Sequence, residues 1–316
     1  FNNSMYIDTD AGLDDALAIF IALKKLTIDG IICSFGNCTA EQVVVNVKKI
    51  LSAHYAQYKT KLPKLYMGCQ KPISKIVRKT TQISAKNEWH GYDGLGDLDV
   101  DSLKFPILDI NVHSFETFLE DFNQNPSEII SIGSLTTACI LQKHHNEKLK
   151  VFMMGGCFPN LFTSIATCPE GFDKGNMKFF NMPNTEHNIA CDPEAAQYVF
   201  RNSDVIIADW ALTIRNGINL KLYNELCEST SIIGQFYSQI SQQYKNTLTK
   251  FGYQSVLCCD SLAVLAAMGN IKSVKILCDI NTDDCDDLGR CVDGQYQVTV
   301  VTEVLFLEQI LREVWL

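Results

Sequence analysis

Near the start of the chain, Met5–Phe20 reads MYIDTDAGLDDALAIF. A short apolar run, Met5-Tyr6-Ile7, leads into four carboxylates, Asp8, Asp10, Asp14 and Asp15, and the almost wholly apolar Ala16–Leu23 follows at once. A buried strand, a turn containing Gly12 and a buried helix account for this order. Four acids at such a junction repel one another strongly unless a cation sits among them or one holds a proton. Acids on the positive end of a helix explain one or two of them. Four beside a core strand point to a metal or catalytic site.

The pattern continues as strand, helix, strand, helix. Ile28–Phe35 reads as a second strand ending at Gly36-Asn37, and Ala40–Ala56 as a helix with Val43, Val44, Val47, Ile50 and Leu51 on its apolar side. This alternation implies an α/β fold with a mostly parallel open sheet flanked by helices and right-handed crossovers. Chemistry in such sheets sits at the carboxyl ends of strands, where Asp8–Asp15 and Gly36-Asn37 both fall. Further on, Val112–Phe122 reads as a helix, Glu128–Ile132 and Leu149–Met154 as strands, and Val205–Ala208 as a short strand. Asp192-Pro193 starts a helix, with Asp192 as N-cap, which explains Asp192 without a catalytic role. Ser231–Lys250 and Ser261–Met268 read as helices, Val274–Asp279 and Tyr296–Thr302 as strands, and Glu303–Val314 as a closing helix. Two long loops, Lys71–Asp99 and Cys157–Ala190, interrupt the pattern. The first ends in Trp89-His90-Gly91 and further glycines, and a loop of that length in a compact domain suggests function. Asp283-Asp284-Cys285-Asp286-Asp287 reads as a solvated hairpin tip. No repeat or linker divides residues 1–316, so one large domain is expected.

With 316 residues, 47% of them hydrophobic, the chain can bury a large core. A net charge of −9 and the lack of any Lys/Arg cluster argue against a nucleic-acid surface. No apolar run reaches membrane-spanning length. No signal peptide is legible at Phe1, and one removed before this numbering would leave no trace. Thirteen cysteines cannot all pair within the chain, and Cys33, Cys139 and Cys258 sit in apolar runs as small core residues. Cys278, Cys285 and Cys291 are spaced too irregularly for a zinc site. A reducing, cytoplasmic compartment is expected. The sequons at Asn2 and Asn37 do not change this, because Asn37 falls at the proposed site.

Three chemistries use an acidic cluster of this kind. An EF-hand loop needs Gly and Glu where this chain has Leu13 and Ile19, so that reading fails. A haloacid-dehalogenase-type phosphatase uses Asp-x-Asp after a strand, but it leaves Asp14-Asp15 unexplained. A Ca²⁺ site holding a water and a sugar diol uses all of them, because hard cations prefer oxygen ligands and adjacent acids at a helix start point in different directions.

The residues Asp8-Thr9-Asp10-Ala11-Gly12-Leu13-Asp14-Asp15-Ala16 resemble the nucleoside hydrolase signature, usually Asp-x-Asp-Pro-Gly-x-Asp-Asp-Ala. Gly36-Asn37, His90-Gly91, Gly133-Ser134-Leu135-Thr136, Met154-Gly155-Gly156, Gly175-Asn176, Glu186-x-Asn188, Asp192-Pro193-Glu194-Ala195-Ala196 and Asp260-x-x-Ala263-Val264 follow in that family's order. The resemblance implies Ca²⁺-dependent hydrolysis of the N-glycosidic bond of ribonucleosides, with small-molecule substrates and a homodimer or homotetramer. It further implies that Asp10, Asp15, the carbonyl of Thr136 and Asp260 ligate Ca²⁺, and that Asp10 also takes the proton of the attacking water. Asp14, Asn37 and Asn188 would hold the 2′- and 3′-hydroxyls and Asn176 and Glu186 the 5′-hydroxyl. Trp89 and His90 would lie beside the pocket, and Asp8 would orient its neighbours.

The chain also departs from the family. Ala11 stands where proline is usual, which relaxes the turn. His187 replaces an aromatic residue and is a candidate leaving-group acid. Cys259 precedes Asp260 where relatives carry the His or Trp that acts on the base; it is a second candidate acid, with a small pocket-lining residue as the plainer reading. The ten-residue step from Asn176 to Glu186 leans the expectation to purine nucleosides such as inosine. A non-catalytic nucleoside-binding homologue and a metal-dependent phosphatase are the alternatives.

Overall fold

The computed structural model describes residues 4–75, 89–162, 172–177, 182 and 184–315. Asn2 and the middle parts of both long loops lie outside the described residues. The chain begins with β1 (Met5–Thr9), α1 (Leu13–Lys25), β2 (Ile28–Cys33), α2 (Ala40–Tyr58), β3 (Lys64–Met67), β4 (Val112–His113) and α3 (Phe115–Gln124). The middle holds β5 (Glu128–Ser131), α4 (Thr136–His144), β6 (Lys150–Met154), α5 (His187–Cys191), α6 (Pro193–Asn202), β7 (Asp204–Ala208) and α7 (Trp210–Thr213). Then come β8 (Ile218–Asn219), α8 (Leu220–Cys227), α9 (Ile232–Lys250), β9 (Ser255–Val256), α10 (Cys259–Ala267), β10 (Ile271–Ile280), β11 (Cys291–Asp293), β12 (Tyr296–Val304) and α11 (Leu307–Trp315).

Ten strands form one sheet in the order β11-β10-β12-β7-β6-β5-β1-β2-β3-β4. From β12 to β4 every pairing is parallel, while β10 runs antiparallel to β12 and β11. The expected mostly parallel sheet is therefore what the chain adopts. The chain leaves β1 toward β2 on one side and returns to β5 on the other, so β1 and β5 flank a switch point, where open α/β sheets bind ligands.

The central strands β2, β1, β5, β6 and β7 are largely buried on both faces, as parallel strands between helical layers must be, whereas much of β10 is exposed. Alternation sorts their side chains. Met5 and Ile7 pack with α1, α2, α9, α10 and α11 on one face, and Tyr6 packs with α3, α4 and α6 on the other. Cys33, Cys139 and Cys258 are buried in these cores. No described helix is long and apolar enough to cross a membrane.

Several boundaries differ from the sequence reading. Val112-His113 pairs with β3 as an edge strand, and Ser114 then caps α3 by accepting the Thr117 N–H at 3.2 Å. The closing helix starts at Leu307 rather than Glu303, because β12 runs to Val304 and Phe306 turns at φ 63°. The Cys157–Ala190 loop contains the start of α5, whose N-cap is Glu186. Strands β3, β8 and β9 and helices α7 and α8 are too short or too loosely patterned to have been read. The acidic tip at 283–287 does lie between two antiparallel strands, β10 and β11.

Candidate active site

Strand alternation splits the four acids. Asp8 shares the Tyr6 face, where the hydroxyls of Ser34 (2.5 Å) and Thr137 (3.1 Å) donate to its Oδ1. Burial pushes its carboxyl up to about 7, and Oδ2 has no hydrogen-bond partner among the described residues. Asp10, one residue past β1, accepts from the Asn37 backbone N–H at 2.7 Å and from Asn37 Nδ2 at 2.9 Å. Gly36 is required there, since a Cβ would overlap Asp10 Oδ2. Ala11 takes φ 48°, a left-handed turn that proline cannot adopt. The exchange of the family's proline thus changes the backbone conformation and does more than relax it.

Asp15 closes the start of α1. It accepts from Thr9 Oγ1 at 2.5 Å and from the Gly12 N–H at 2.8 Å. Burial and the neighbouring Asp14 hold its carboxyl at about 6. Asp14 is pushed up by burial, and the nearby Cys259 thiol acts to lower it. Asp260 sits in the first turn of α10, driven well above the carboxylate range by burial and by Asp14, Asp15 and Asp10. One oxygen each from Asp14, Asp15 and Asp260 lie within 4.8 Å of one another. A buried, oxygen-only set whose members repel one another fits a hard dication. The tightest group therefore includes Asp14, whereas Asp10 has both oxygens engaged by Asn37.

Thr136 begins α4. Its hydroxyl donates to Asp192 Oδ2 at 2.6 Å, which leaves the carbonyl as its other oxygen. Asp192 does cap α6, accepting from the Ala195 N–H at 3.3 Å. It also takes the Ile73 (2.8 Å) and Ser74 (3.1 Å) N–H groups, so capping alone is too narrow an account of it.

A second polar group gathers beyond β6. Glu186 accepts from the N–H groups of Asn188 (2.9 Å), Ile189 (3.2 Å) and Gly156 (3.2 Å), and burial raises it to about 7. Asn176 Oδ1 accepts the His187 N–H at 2.8 Å, with its Nδ2 3.5 Å from Glu186. Asn188 Nδ2 donates to the Met154 carbonyl at 3.0 Å. The ring of His187 reaches back to the Cys191 thiol at 3.5 Å, one turn along α5.

The glycine-rich loop is anchored on α2. Asp93 pairs with Lys49 at 3.2 Å, and its carbonyl accepts from Asn46 Nδ2 at 2.7 Å. This brings His90 Nδ1 within 3.2 Å of the Leu13 N–H, so Nδ1 is the acceptor and the proton lies on Nε2. His90 stacks on Tyr244 (5.9 Å, 23°), and Trp89 stacks on Phe251 (5.2 Å, 15°) with Tyr244 against its edge (6.4 Å, 64°). Tyr244 is buried, with Cys259 and Asp14 acting electrostatically on its hydroxyl. The sequence reading missed Tyr244 and Phe251. Their signal was a seven-residue step, Tyr237, Tyr244, Phe251, running along α9 to the residue that caps its end.

The chain is 29% identical over 207 residues to the non-specific ribonucleoside hydrolase RihC of Salmonella paratyphi A, a match covering 64% of this chain and 59% of that protein. The aligned part thus spans less than two thirds of the curated relatives' length. A plant nucleoside hydrolase superposes with a TM-score of 0.79 at 20% identity, covering 100% of this chain and 99% of its own. A purine-preferring ribonucleoside hydrolase from Gardnerella vaginalis gives 0.74 at 21%, covering 98% of each chain. Both likenesses speak to the fold. The sequence profile described as "Inosine-uridine preferring nucleoside hydrolase" matches residues 5–307, and the chain belongs to that family.

Proposed function

We propose that this protein hydrolyses the N-glycosidic bond of ribonucleosides, releasing ribose and the free base, with Ca²⁺ as its cation. The observation that carries this reading is the buried oxygen-only group of Asp14, Asp15 and Asp260 beside Asp10, at the carboxyl end of β1. The ion would be held by Asp10, Asp15, Asp260 and the Thr136 carbonyl; when bound, it makes a water more acidic and offsets the repulsion of the acids.

Asp10, oriented by two bonds from Asn37, takes the proton of the attacking water. Asp14, Asn37 and Asn188 hold the ribose diol, and Asn176 and Glu186 the 5′-hydroxyl. As the bond to the base lengthens, positive charge grows on the sugar ring, and the surrounding carboxylates stabilise it. Cys259 and His187 are the candidate proton donors to the base. Burial and Asp14 keep the Cys259 thiol protonated, so its donor form is populated while its acidity is low. The aromatic wall of Trp89, Tyr244 and Phe251 supports the lean to purine nucleosides, whose larger rings gain more from stacking. We extend the proposal to a homodimer or homotetramer in the cytoplasm, and to residues 1–316 as one domain.

The test is a panel of inosine, guanosine, adenosine, cytidine and uridine with Ca²⁺, read by ribose release. Release from inosine and guanosine ahead of the pyrimidines is expected. No release from any of the five, alongside binding of inosine by calorimetry, would instead make the chain a binding protein.

A further inference from the structure

A lysine is rarely buried without a charge to meet it. Lys49, midway along α2, is 4% exposed, and its Nζ stands 3.2 Å from Asp93 Oδ2. Asp93 organises the glycine-rich loop. Its Oδ1 accepts from the Leu95 (2.7 Å) and Asp97 (2.9 Å) N–H groups, and its own N–H donates to Asp97 Oδ1 at 2.9 Å. Its carbonyl accepts from Asn46 Nδ2 at 2.7 Å and from the Cys38 thiol at 3.2 Å. The same Asn46 Nδ2 reaches the Ala11 carbonyl at 3.3 Å, in the turn between β1 and α1. Asp93 therefore folds the loop with one carboxylate oxygen and offers the other to α2. Just before it in the chain stand Trp89 and His90. His90 Nδ1 lies 3.9 Å from Asp14 Oδ1, and both rings pack on Tyr244 of α9.

We propose that Lys49 is a positioning residue for substrate binding: its ion pair with Asp93 latches the 89–97 loop to α2 and so fixes the rings of Trp89 and His90 beside the acidic cluster. A buried ion pair that loses one partner leaves the other charge unmatched in a poorly solvated place, so the pair resists opening. The loop is thus held by charge as well as by Leu95, which is fully buried. Opening the latch frees the two rings from Tyr244 and leaves the acids of β1 and α1 where they are. Binding of the base weakens, and the chemistry at the sugar is largely spared. Lys49 acts through Asp93 and needs no contact with the substrate. The inference rests on the proposed function for the identity of the ligand, while the placement of Trp89 is read without turnover.

Lys49→Met removes the charge and keeps most of the stem. In the full chain with Ca²⁺, KM for inosine should rise about tenfold with a smaller change in kcat, an effect within the range that coupled neighbours show. Acrylamide should also quench Trp89 fluorescence more strongly. The other two tryptophans, Trp210 and Trp315, are buried, and Trp89→Phe gives the share of the signal that is theirs. Lys48→Met is the control, because Lys48 pairs with Asp109 instead, at 3.9 Å; it should behave as the native chain does. Should Lys49→Met fail to fold, Asp93→Asn keeps an oxygen for the Leu95 and Asp97 N–H groups and removes the ion pair, and it should move both readouts the same way. Where both fold, the double variant should be no worse than the more affected single one. Native-like quenching of Trp89, an unchanged KM, an equal shift in Lys48→Met, or effects that add in the double variant would each overturn the proposal and leave Leu95 and the backbone bonds as the loop's anchor. If the native chain releases no ribose from any nucleoside, the hydrolase reading falls, and Trp89 quenching alone decides whether Lys49 holds the loop.

Discussion

Asp10 and Ala11 are neighbours with separable roles. Asp10→Asn keeps an oxygen for Asn37 to donate to and removes the base. Turnover should fall about 10²–10⁴-fold, and the thermal midpoint at fixed Ca²⁺ should fall with it, since Asp10 would be one of the ion's ligands. Near-native turnover in that variant would assign the base elsewhere. Ala11 is a matter of backbone. Its left-handed φ of 48° disfavours any side chain with a Cβ by about 1 kcal/mol, and glycine relieves that cost. Ala11→Gly should therefore raise the urea midpoint slightly. Ala11→Pro should lower stability by about 3 kcal/mol or more, because proline's φ is locked near −65° and the Ala11 N–H that donates to Thr9 Oγ1 at 3.0 Å would be lost. A proline variant more stable than the native chain would refute the left-handed turn.

Among elements, α9 is the one whose contacts with the glycine-rich loop the sequence concealed. Tyr244 and Phe251 follow Tyr237 at helical repeats, and that spacing looks the same whether a ring faces the core or the pocket. Only the approach of Trp89 and His90 from a loop more than a hundred residues upstream separates the two. Tyr244→Ala should raise KM for inosine about tenfold, with a smaller effect on kcat, since stacking on a base contributes about 1–3 kcal/mol. An unchanged KM would remove Tyr244 from the pocket. The acids were legible because they are contiguous and because a core strand and a core helix bracket them. Gly36-Asn37 was legible because it ends a strand beside them. Asp192 was half legible. Its N-cap role is local and leaves a local signature, while its bonds to Thr136, Ile73 and Ser74 depend on three segments meeting. Edge strands of two residues, such as β4 and β8, carry too few side chains to show a period.

Across the whole molecule, stability should depend on pH through buried groups both outside the candidate site and within it. His54 is buried against Tyr58, with its Nδ1 unpartnered among the described residues, and burial with Lys24 nearby lowers it to about 4. A histidine depressed in the fold contributes stability that is full above its unfolded pKa of about 6.5 and is lost as pH falls from there through about 4. His54→Gln should flatten that acid-side decline in denaturant midpoints between those pH values; an unaltered slope would show that His54 is not the cause. Glu186 acts in the opposite sense. Raised to about 7 by burial, it contributes stability below its unfolded value that is lost as pH rises through about 7.

Asp14 and Asp15 lie near the start of the chain and Asp260 near its end, yet one ion could touch all three. Such an ion would act as a reversible cross-link closing a loop of most of the chain, and no unfolded conformation offers the same site. The cation would then govern how long the fold persists as well as the proposed turnover. Chelation should lower the thermal midpoint, by the equivalent of about 2.7 kcal/mol from a concentration one hundred times the dissociation constant. It should also hasten proteolysis, because α1 and α10 would no longer be tethered to each other through their first turns.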